Sequence, residues 1–256
     1  MVLVCAGHDP SGGAGVDADR EAITSAGGEA RCVVTTDTDQ DGKRVTAVRA
    51  RDPRVWAEQA RAELEAGAGA RALKFGLLRD AAAVEAAAEL ARTARGRAIP
   101  VVVDPVLAAS GGERFLDGPG TERLLEALIP AGVVLTPNLV EVAELCGSDL
   151  QPLVENRGAR EDAARRLLEA GAAGVVLKDG HGAGDFVTDL VLEAGGEPCW
   201  LHRPRIAGHG IHGSGCRHAS FLATRLARGD SLEASALGAG DYLAERIARA
   251  RALGLA

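Results

Sequence analysis

The sequence predicts a doubly wound α/β protein with a mostly parallel central sheet. Short apolar runs rich in valine and leucine alternate along the chain with helical stretches. These runs lack the polar alternation of a half-exposed strand, which is typical of strands buried on both faces of a parallel sheet. The alternation of strands and helices indicates helices on both sides of that sheet. With 256 residues, of which 46% are hydrophobic, we expect one domain over residues 1–256.

The predicted strands follow from these apolar runs in chain order. They cover residues 2–6, 32–36, 72–78, 99–103, 133–136 and 174–177. Two further apolar runs within residues 185–201 flank Gly195-Gly196. A glycine pair between two such runs is typical of a tight turn, so this segment predicts an antiparallel hairpin at one edge of the sheet.

Helices are predicted between the strands from capping residues and apolar stripes. The predicted helices cover residues 81–95, 122–129, 159–170 and 232–252. Asp80 is expected to cap the first of them and Thr121 the second. Residues 51–53, 147–158 and 202–210 are predicted as loops.

The composition excludes several functional classes. A net charge of −7 with 3% aromatic residues argues against a nucleic-acid surface, which needs basic patches and stacking rings. The five cysteines are scattered and form no C-x-x-C pair, which argues against a disulfide framework or a zinc site and indicates a reducing cytoplasm. No segment has the pattern of a signal peptide or a membrane span. We therefore expect a cytoplasmic protein that binds small molecules.

The run His212-Gly213-Ser214-Gly215-Cys216 precedes a predicted helix and is the most specific local pattern in the chain. Glycines let successive backbone N–H groups point at one spot. The first turn of the helix adds free N–H groups and a partial positive charge, which together favour a phosphate. Because a cysteine at a helix N-terminus is expected to ionise easily, Cys216 is predicted to be a thiolate and a candidate base.

A second glycine-rich loop follows the first strand and runs from Gly7 to Gly15. It is not a Walker phosphate loop, because Gly13-Ala14 stand where lysine and serine or threonine are required. A dinucleotide loop is disfavoured, because the connection is long and contains Pro10. Two readings remain: a substrate loop whose glycines let the backbone close on a flat ring, and a simple tight connection.

Polar residues follow three further strands, at the edge where ligands bind in open α/β sheets. Asp104 follows the fourth strand, and Asn138 and Glu141 follow the fifth. Asp104 and Glu141 could hold a hydrated Mg²⁺; alternatively, Asn138 and Glu141 form an ordinary capping box. Lys178 follows the sixth strand and either reaches nucleotide phosphates or lies solvated in a turn.

Together these segments resemble one family, the hydroxymethylpyrimidine and phosphomethylpyrimidine kinases of thiamine biosynthesis, within the ribokinase-like superfamily. The matching segments appear in the family's order and span nearly the whole chain. They are residues 6–19 (AGHDPSGGAGVDAD), 74–78 (KFGLL), 103–106 (VDPV), 110–111 (SG), 136–141 (TPNLVE), 178–181 (KDGH) and 212–216 (HGSGC).

The resemblance implies a three-layer α/β/α ribokinase-like fold, with an edge hairpin and a mostly parallel sheet. It implies transfer of a phosphoryl group from ATP, with Mg²⁺, to hydroxymethylpyrimidine and then to its monophosphate, in a cytoplasmic homodimer. The residues implied to contact the pyrimidine are Gly7, Asp19, Gln40, Leu77 and Val106. Those implied to organise Mg²⁺ are Asp104 and Glu141, and those implied to contact ATP are Lys178 and Ser214. Gly213 and Gly215 would supply anion-hole amides, and Cys216 would receive the substrate proton.

The chain departs from the family pattern at two places. Three carboxylates, Asp37, Asp39 and Asp41, surround Gln40 and would disfavour a phosphorylated acceptor if they faced the ring pocket. Residues Arg217-His218 follow the cysteine where the family usually has threonine and leucine; Arg217 either contacts a phosphate or covers the helix surface.

These departures leave three alternatives open. The first is a pyridoxal or pyridoxine kinase of the same fold. The second is a non-catalytic paralogue that binds a pyrimidine or a nucleotide. The third is a cysteine hydrolase that pairs Cys216 with His212 or His218, for which no orienting partner is evident in the sequence.

Overall fold

The computed structural model describes residues 1–40, 45–66, 69–109, 111–180, 182, 184–206 and 210–254. Asp41, Ser110 and His181, which the sequence analysis singled out or quoted, lie outside these ranges. The strands are β1 (Val2–His8), β2 (Ala30–Gln40), β3 (Val45–Ala50), β4 (Ala72–Phe75), β5 (Val101–Val103), β6 (Val134–Leu135), β7 (Gly174–Leu177), β8 (Phe186–Glu193) and β9 (Cys199–Pro204).

These strands form a single sheet in the order β3-β2-β1-β4-β5-β6-β7-β8-β9. The six strands from β2 to β7 in this order are parallel to one another. An antiparallel strand closes each side: β3 pairs with β2, and the β8–β9 hairpin follows β7. The predicted mostly parallel sheet and the hairpin within residues 185–201 are therefore confirmed.

Helices connect the strands on both faces. They are α1 (Gly15–Ser25), α2 (Pro53–Glu65), α3 (Ala81–Arg95), α4 (Gly118–Arg123), α5 (Leu139–Leu145), α6 (Leu150–Glu155), α7 (Arg157–Glu169), α8 (Ser214–Ala227) and α9 (Leu232–Ala252). After α4 the chain continues in a wider helical turn at Leu124–Leu128 and a tight one at Ile129–Ala131. None of the described helices is both long enough and apolar enough to cross a membrane.

Three local predictions were wrong. Thr121 does not cap a helix, because α4 begins earlier: the Asp117 side chain accepts the Gly120 amide, and a proline fits the first turn. The predicted loop at residues 147–158 contains α6. The loop predicted at residues 202–210 begins later, because β9 extends to Pro204.

Two apolar clusters flank the sheet and make the fold a three-layer α/β/α arrangement, as predicted. One cluster packs α2, α3, α5 and α7 on one face, and the other packs α1, α8 and α9 on the opposite face. Successive side chains of β4 point alternately into the two clusters. Leu73 and Phe75 join the first cluster, whereas Ala72 joins the second. Lys74 therefore points from the centre of β4 into the α1–α8 layer, where it is fully buried.

Candidate active site

The carboxyl ends of the parallel strands open into a cavity of about 450 Å³. Its lining extends from Gln40 on β2 to Val187 on β8. Because neighbouring strands lie about 4.8 Å apart, six strand spacings give this crevice a length of roughly 30 Å. Two ligands can therefore lie end to end within it. All the site residues that the sequence analysis named, except Asp19, line the cavity.

The N-terminus of α8 forms the centre of this cavity. Gly213 occupies the capping position at φ +71°, and no side chain caps the helix. A Cβ at Gly213 would collide with the Gly13 carbonyl oxygen and would lie 2.8 Å from Ala14 Cα, so only glycine fits. Among the described residues, the backbone amides of Gly215 and Cys216 have no hydrogen-bond acceptor. The helix therefore presents free amides to the cavity, as an anion site requires.

The loop before α8 is tied to the glycine-rich loop after β1. The buried Asp9 carboxylate accepts the Ala14 amide at 2.9 Å and pairs with His212 Nε2 at 2.9 Å. Arg217 donates from Nη1 to the carbonyl oxygens of Gly13 and His212, both at 2.7 Å. Its other guanidinium nitrogens bind Glu21 on α1. Arg217 therefore holds the two loops together, rather than contacting a phosphate or covering the helix surface.

A lysine and a carboxylate face the N-terminus of α8. Lys178 Nζ donates to Asp104 Oδ1 at 2.9 Å. A Cβ at Gly215 would lie 3.3 Å from Asp104 Oδ2 and 3.4 Å from Lys178 Nζ. Burial opposes the charge of both groups, but Lys178 holds the pKa of Asp104 below its usual range and Asp104 raises the pKa of Lys178. Both groups are therefore charged beside the free amides.

Glu141 closes a capping box, and its pKa is shifted. Its Oε2 accepts the Asn138 amide at 2.8 Å, while Asn138 Oδ1 accepts the amides of Val140 and Glu141. The capping box that the sequence analysis left open is therefore present. Burial raises the pKa of Glu141 to about 7, with Lys178 opposing this rise and Asp104 adding to it. A buried carboxyl group with a raised pKa would bind a cation in place of its proton.

The donor set fits a hydrated Mg²⁺. The described residues contain no group of three or more histidine, cysteine, aspartate or glutamate side chains that could hold a metal ion. Magnesium, however, usually takes one or two carboxylates and keeps several waters. Asp104 and Glu141 supply two carboxylates at the cavity wall. Burial is the main cause of the raised pKa of Glu141, and the repulsion from Asp104 that adds to it would be relieved by a cation between the two carboxylates.

The ionisation of Cys216 differs from the prediction. Burial raises the pKa of its thiol to about 11, although Lys74 and the Gly15 amide act in the opposite direction. The helix N-terminus does not outweigh removal of the sulfur from water. The predicted thiolate is therefore wrong for the ligand-free protein, in which Cys216 is a thiol.

One end of the cavity lies between β1, β2 and β4. A Cβ at Gly7 would lie 2.8 Å from Leu77 Cδ2, so glycine leaves room beside that apolar side chain. Thr38 and Gln40 line the cavity from one face of β2. Asp37 and Asp39 alternate with them along β2 and do not line the cavity. Each accepts two hydrogen bonds from one guanidinium group, Asp39 from Arg49 on β3 and Asp37 from Arg51, which follows β3. The negative charges of these two residues therefore do not face the ring pocket.

Asp19 does not lie where the resemblance implied. It is fully buried between α1 and α8 and does not line the cavity. Its Oδ1 accepts Lys74 Nζ at 2.9 Å and Ser220 Oγ at 2.7 Å. The sequence could not show this, because the three residues come from different elements. A direct contact between Asp19 and the pyrimidine is therefore not supported.

The opposite end of the cavity was missed in the sequence analysis. It is lined by apolar side chains of β8 and α9, namely Val187, Leu243, Ala244 and Ile247. In the sequence these residues are indistinguishable from core positions.

The described residues show no hydrogen bond from Cys216 to a histidine. His212 binds Asp9, and burial with nearby Lys178 lowers the pKa of His218 to about 4. The hydrolase alternative is therefore not supported.

The chain is similar to several known proteins. The sequence model of the phosphomethylpyrimidine kinase family matches residues 9–256. The hydroxymethylpyrimidine/phosphomethylpyrimidine kinase of Streptomyces coelicolor is 35% identical over 254 residues, which cover 99% of this chain and 91% of that protein. The thiamine biosynthesis bifunctional protein of Geobacter sulfurreducens is also 35% identical over 99% of this chain, which spans 50% of that longer protein.

Two solved structures have the same fold. Phosphomethylpyrimidine kinase from Clostridium difficile matches with a TM-score of 0.79 at 26% identity, covering 96% of this chain and 98% of that one. Pyridoxal kinase from Staphylococcus aureus, in complex with AMP-PCP and pyridoxal, matches with a TM-score of 0.80 at 26% identity, covering 96% and 87%. The family's sequence model covers nearly the whole chain, and a relative of similar length is more than 30% identical to it. The chain therefore belongs to the phosphomethylpyrimidine kinase family.

Proposed function

We propose that this protein transfers a phosphoryl group from ATP to the hydroxymethyl oxygen of 4-amino-5-hydroxymethyl-2-methylpyrimidine, and then to its monophosphate, in thiamine biosynthesis. One observation carries the proposal. The uncapped N-terminus of α8 faces the Asp104–Lys178 pair across Gly215, at the middle of a crevice long enough for a nucleotide and a small ring. The relatives named above support the choice of acceptor.

The phosphates are expected to lie between α8 and Lys178. The free amides of Gly215 and Cys216 would donate to the phosphoryl oxygens, and Lys178 would neutralise part of their charge. Preorganised donors of this kind stabilise the transition state because they need no rearrangement as charge develops. Asp104 and Glu141 would hold Mg²⁺, which supplies further positive charge to the phosphate oxygens.

The two ends of the cavity suit the acceptor ring and the nucleotide base. The acceptor ring would lie between Gly7, Leu77 and Val106, with Gln40 at its edge, and its hydroxymethyl group would point toward Cys216. The nucleotide base would lie against the apolar end formed by Val187, Leu243, Ala244 and Ile247. With this order of regions along the crevice, the phosphates would lie between the base and the acceptor, as transfer requires.

Cys216 would receive the acceptor proton. Each unit by which its pKa exceeds the working pH lowers the thiolate fraction about tenfold. With a pKa of about 11, the thiolate of Cys216 is a strong base, but only a small fraction of the thiol is ionised at neutral pH. Groups that lower this pKa should consequently control the rate.

An acceptor screen tests the proposal. Purified protein is incubated with Mg·ATP and one acceptor: the pyrimidine, its monophosphate, pyridoxal, or none. ADP release is followed by a coupled assay, and products by mass spectrometry. We expect phosphorylation of the pyrimidine at least about 100-fold above pyridoxal in kcat/KM, roughly 3 kcal/mol of discrimination. Inert pyrimidine with phosphorylated pyridoxal would reassign the protein as a pyridoxal kinase.

That second candidate rests on the likeness to the Staphylococcus aureus pyridoxal kinase, whose TM-score equals that of the pyrimidine kinase within 0.01. Nucleotide binding in calorimetry without ADP from any acceptor would instead favour a non-catalytic paralogue. We further propose a homodimer, testable by light scattering, in a reducing cytoplasm that suits five unpaired cysteines.

A further inference from the structure

A lysine is buried in the layer that contains α8, the helix that carries the proposed base. Lys74 occupies the centre of β4, and its side chain and that of Asp19 are both 0% exposed. The Lys74 side chain points into the same layer as Ala72 and the α8 residue Ala219. A Cβ at Gly76 would lie 2.7 Å from Lys74 Nζ, so glycine at this position leaves space for the ammonium group. Neither charge reaches water.

Hydrogen bonds connect this ion pair to the helix that carries Cys216. Asp19 Oδ1 accepts both Lys74 Nζ at 2.9 Å and Ser220 Oγ at 2.7 Å. Ser220 follows Cys216 by four residues on α8, so the two side chains lie on the same face of the helix, one turn apart. The ion pair is therefore joined to α8 one helical turn from Cys216.

Stability does not explain this arrangement. Removing two charges from water costs more than their attraction commonly returns, and an apolar pair of similar volume is often as stable. Asp19 is also poorly satisfied, because its Oδ2 has no partner among the described residues. A costly pair placed one helical turn from a reactive side chain indicates a role in that side chain's chemistry.

We propose that Lys74 is a positioning residue that stabilises the thiolate of Cys216, with Asp19 holding its ammonium group in place. The catalytic meaning rests on the proposed function. In that reaction the acceptor oxygen forms its bond to phosphorus as the bond to the ADP oxygen breaks. The acceptor proton moves to Sγ of the thiolate, and the thiol later returns this proton to solvent.

The charges around the sulfur support this assignment. Burial has the largest effect on the pKa of Cys216 and raises it; Asp19 on α1 and Asp104 after β5 raise it further, whereas Lys74 on β4 lowers it. Lys178 after β7 also interacts with the thiolate, which raises the pKa of Lys178. Next to Cys216 on α8 itself lie Arg217, whose guanidinium is bound to Glu21, and His218, which is neutral at ordinary pH because its pKa is lowered to about 4.

The test is the pH dependence of Cys216 alkylation by iodoacetamide in the full chain, without metal or nucleotide. Peptide mass spectrometry separates Cys216 from the other four cysteines. Since only the thiolate reacts, each unit of pKa changes the rate at a fixed lower pH about tenfold. We expect Lys74→Met to slow alkylation at least about tenfold and Asp19→Asn to accelerate it several-fold. Ser220→Ala, which changes no charge in the same network, should stay within about twofold.

The opposite signs separate electrostatics from packing. Both single variants break the same ion pair, so a purely structural role predicts the same direction of change in both, and that result would overturn the proposal. If a single variant does not fold, Lys74→Met/Asp19→Leu leaves no unpaired buried charge. Alkylation of this variant should still be slower than in the unaltered protein, and an unchanged rate would also overturn the proposal.

The alkylation test needs no substrate, so it is independent of the kinase activity. Expected alkylation shifts without any ADP formation would reject the proposed function and retain the role of Lys74. Kinase activity with unshifted alkylation would do the reverse. If both hold, the pH at which kcat reaches half its maximum should rise in Lys74→Met by the same amount as the thiol pKa.

Discussion

Two helices begin at the same cavity, and their N-termini are built in opposite ways. At the start of α5, Asn138 accepts two amides at 2.9 Å and Glu141 closes the box by accepting a third. At the start of α8, Gly213 offers no side-chain acceptor, and the amides of Gly215 and Cys216 are left free among the described residues. The α5 terminus is complete without a ligand, whereas the α8 terminus is not.

The difference shows where the protein sacrifices stability for binding. A missing cap leaves a helix less stable by about 1 kcal/mol. The chain uses capping side chains elsewhere, with Asp52, Asp80 and Ser231 at the starts of α2, α3 and α9. Even α1, whose capping position is an alanine, has its Ala14 amide accepted by Asp9. Variants at the α8 terminus should therefore lose activity and keep stability, and variants at the α5 terminus should also lose stability.

The largest effect is expected at the sulfur beside the open terminus. Cys216→Ala should lower kcat by roughly two to four orders of magnitude, because it removes the proton acceptor. The midpoint of thermal unfolding and the affinity for AMP-PCP, measured by calorimetry, should stay unchanged. Turnover within about threefold of the unaltered protein would remove the base role of Cys216 and leave the anion site intact.

The next effect concerns the space between α8 and the Asp104–Lys178 pair. Gly215→Ala should lower kcat/KM by roughly two to three orders of magnitude, since its Cβ would occupy the place of a phosphoryl oxygen. Stability should rise by up to about 1 kcal/mol, because alanine is favoured over glycine within a helix. Denaturant unfolding and steady-state kinetics measure the two changes.

Gly238→Ala is the matched control for that variant. Gly238 lies inside α9 and does not line the cavity, and its Cβ would lie 3.4 Å from Phe221 and 3.9 Å from Arg225, both ordinary contact distances. It should gain similar stability and keep full activity. Equal losses of activity in both variants would mean that helix α8 acts through general packing rather than through its open end.

The third effect is a pH dependence at the capped terminus. The pKa of Glu141 is about 7 in the folded protein and 4.5 in an ordinary setting. Since the folded pKa is the higher one, the stabilising contribution is present below the ordinary pKa and is lost as the pH rises through about 7. Up to about 3 kcal/mol is involved, at 1.36 kcal/mol for each unit.

Glu141→Gln removes this titration while keeping a side-chain acceptor for the box. The unaltered protein should therefore lose stability relative to the variant between about pH 4 and about pH 8, as measured by denaturant unfolding without metal. Glu126→Gln, at an exposed carboxylate, should show no such trend. A constant difference across this range would show that Glu141 ionises normally. With metal added, Glu141→Gln should also need a higher Mg²⁺ concentration for activity.

The smallest effect is the cap itself. Asn138→Ala should lower the free energy of unfolding by about 1 kcal/mol, because it leaves the amides of Val140 and Glu141 without their acceptor. Chemical unfolding at fixed pH measures the change. If this variant were as stable as the unaltered chain, the contrast between the two termini would have no energetic basis.

The sequence predicted the sheet and several helices because their signals are local. The apolar run of β7 and the helices α3 and α9, with side-chain caps at Asp80 and Ser231, match closely. Strand β3 was missed because its residues are mostly half-buried or exposed and give no apolar run. It is held by pairing with β2, which depends on residues outside the segment.

The residues named for the site, apart from Asp19, line one cavity, but their ionisation was not predicted. The cavity joins residues at strand ends, and strand ends share one edge in a parallel sheet. The pKa of Cys216, by contrast, depends on burial and on charges carried by β4, α1 and the segment after β5. Two signals were nevertheless present in the sequence. Period-two alternation separates Gln40 from Asp39, and a lysine within an apolar run marked Lys74 as a buried charge.

A crystal structure with AMP-PCP and the pyrimidine tests the central claim most directly. The open terminus of α8 is expected to bind the terminal phosphate, with its oxygens within about 3.2 Å of the Gly215 and Cys216 amides. The acceptor hydroxyl should lie beside Cys216 Sγ. A terminal phosphate bound elsewhere in the crevice, with these two amides still free, would contradict the account.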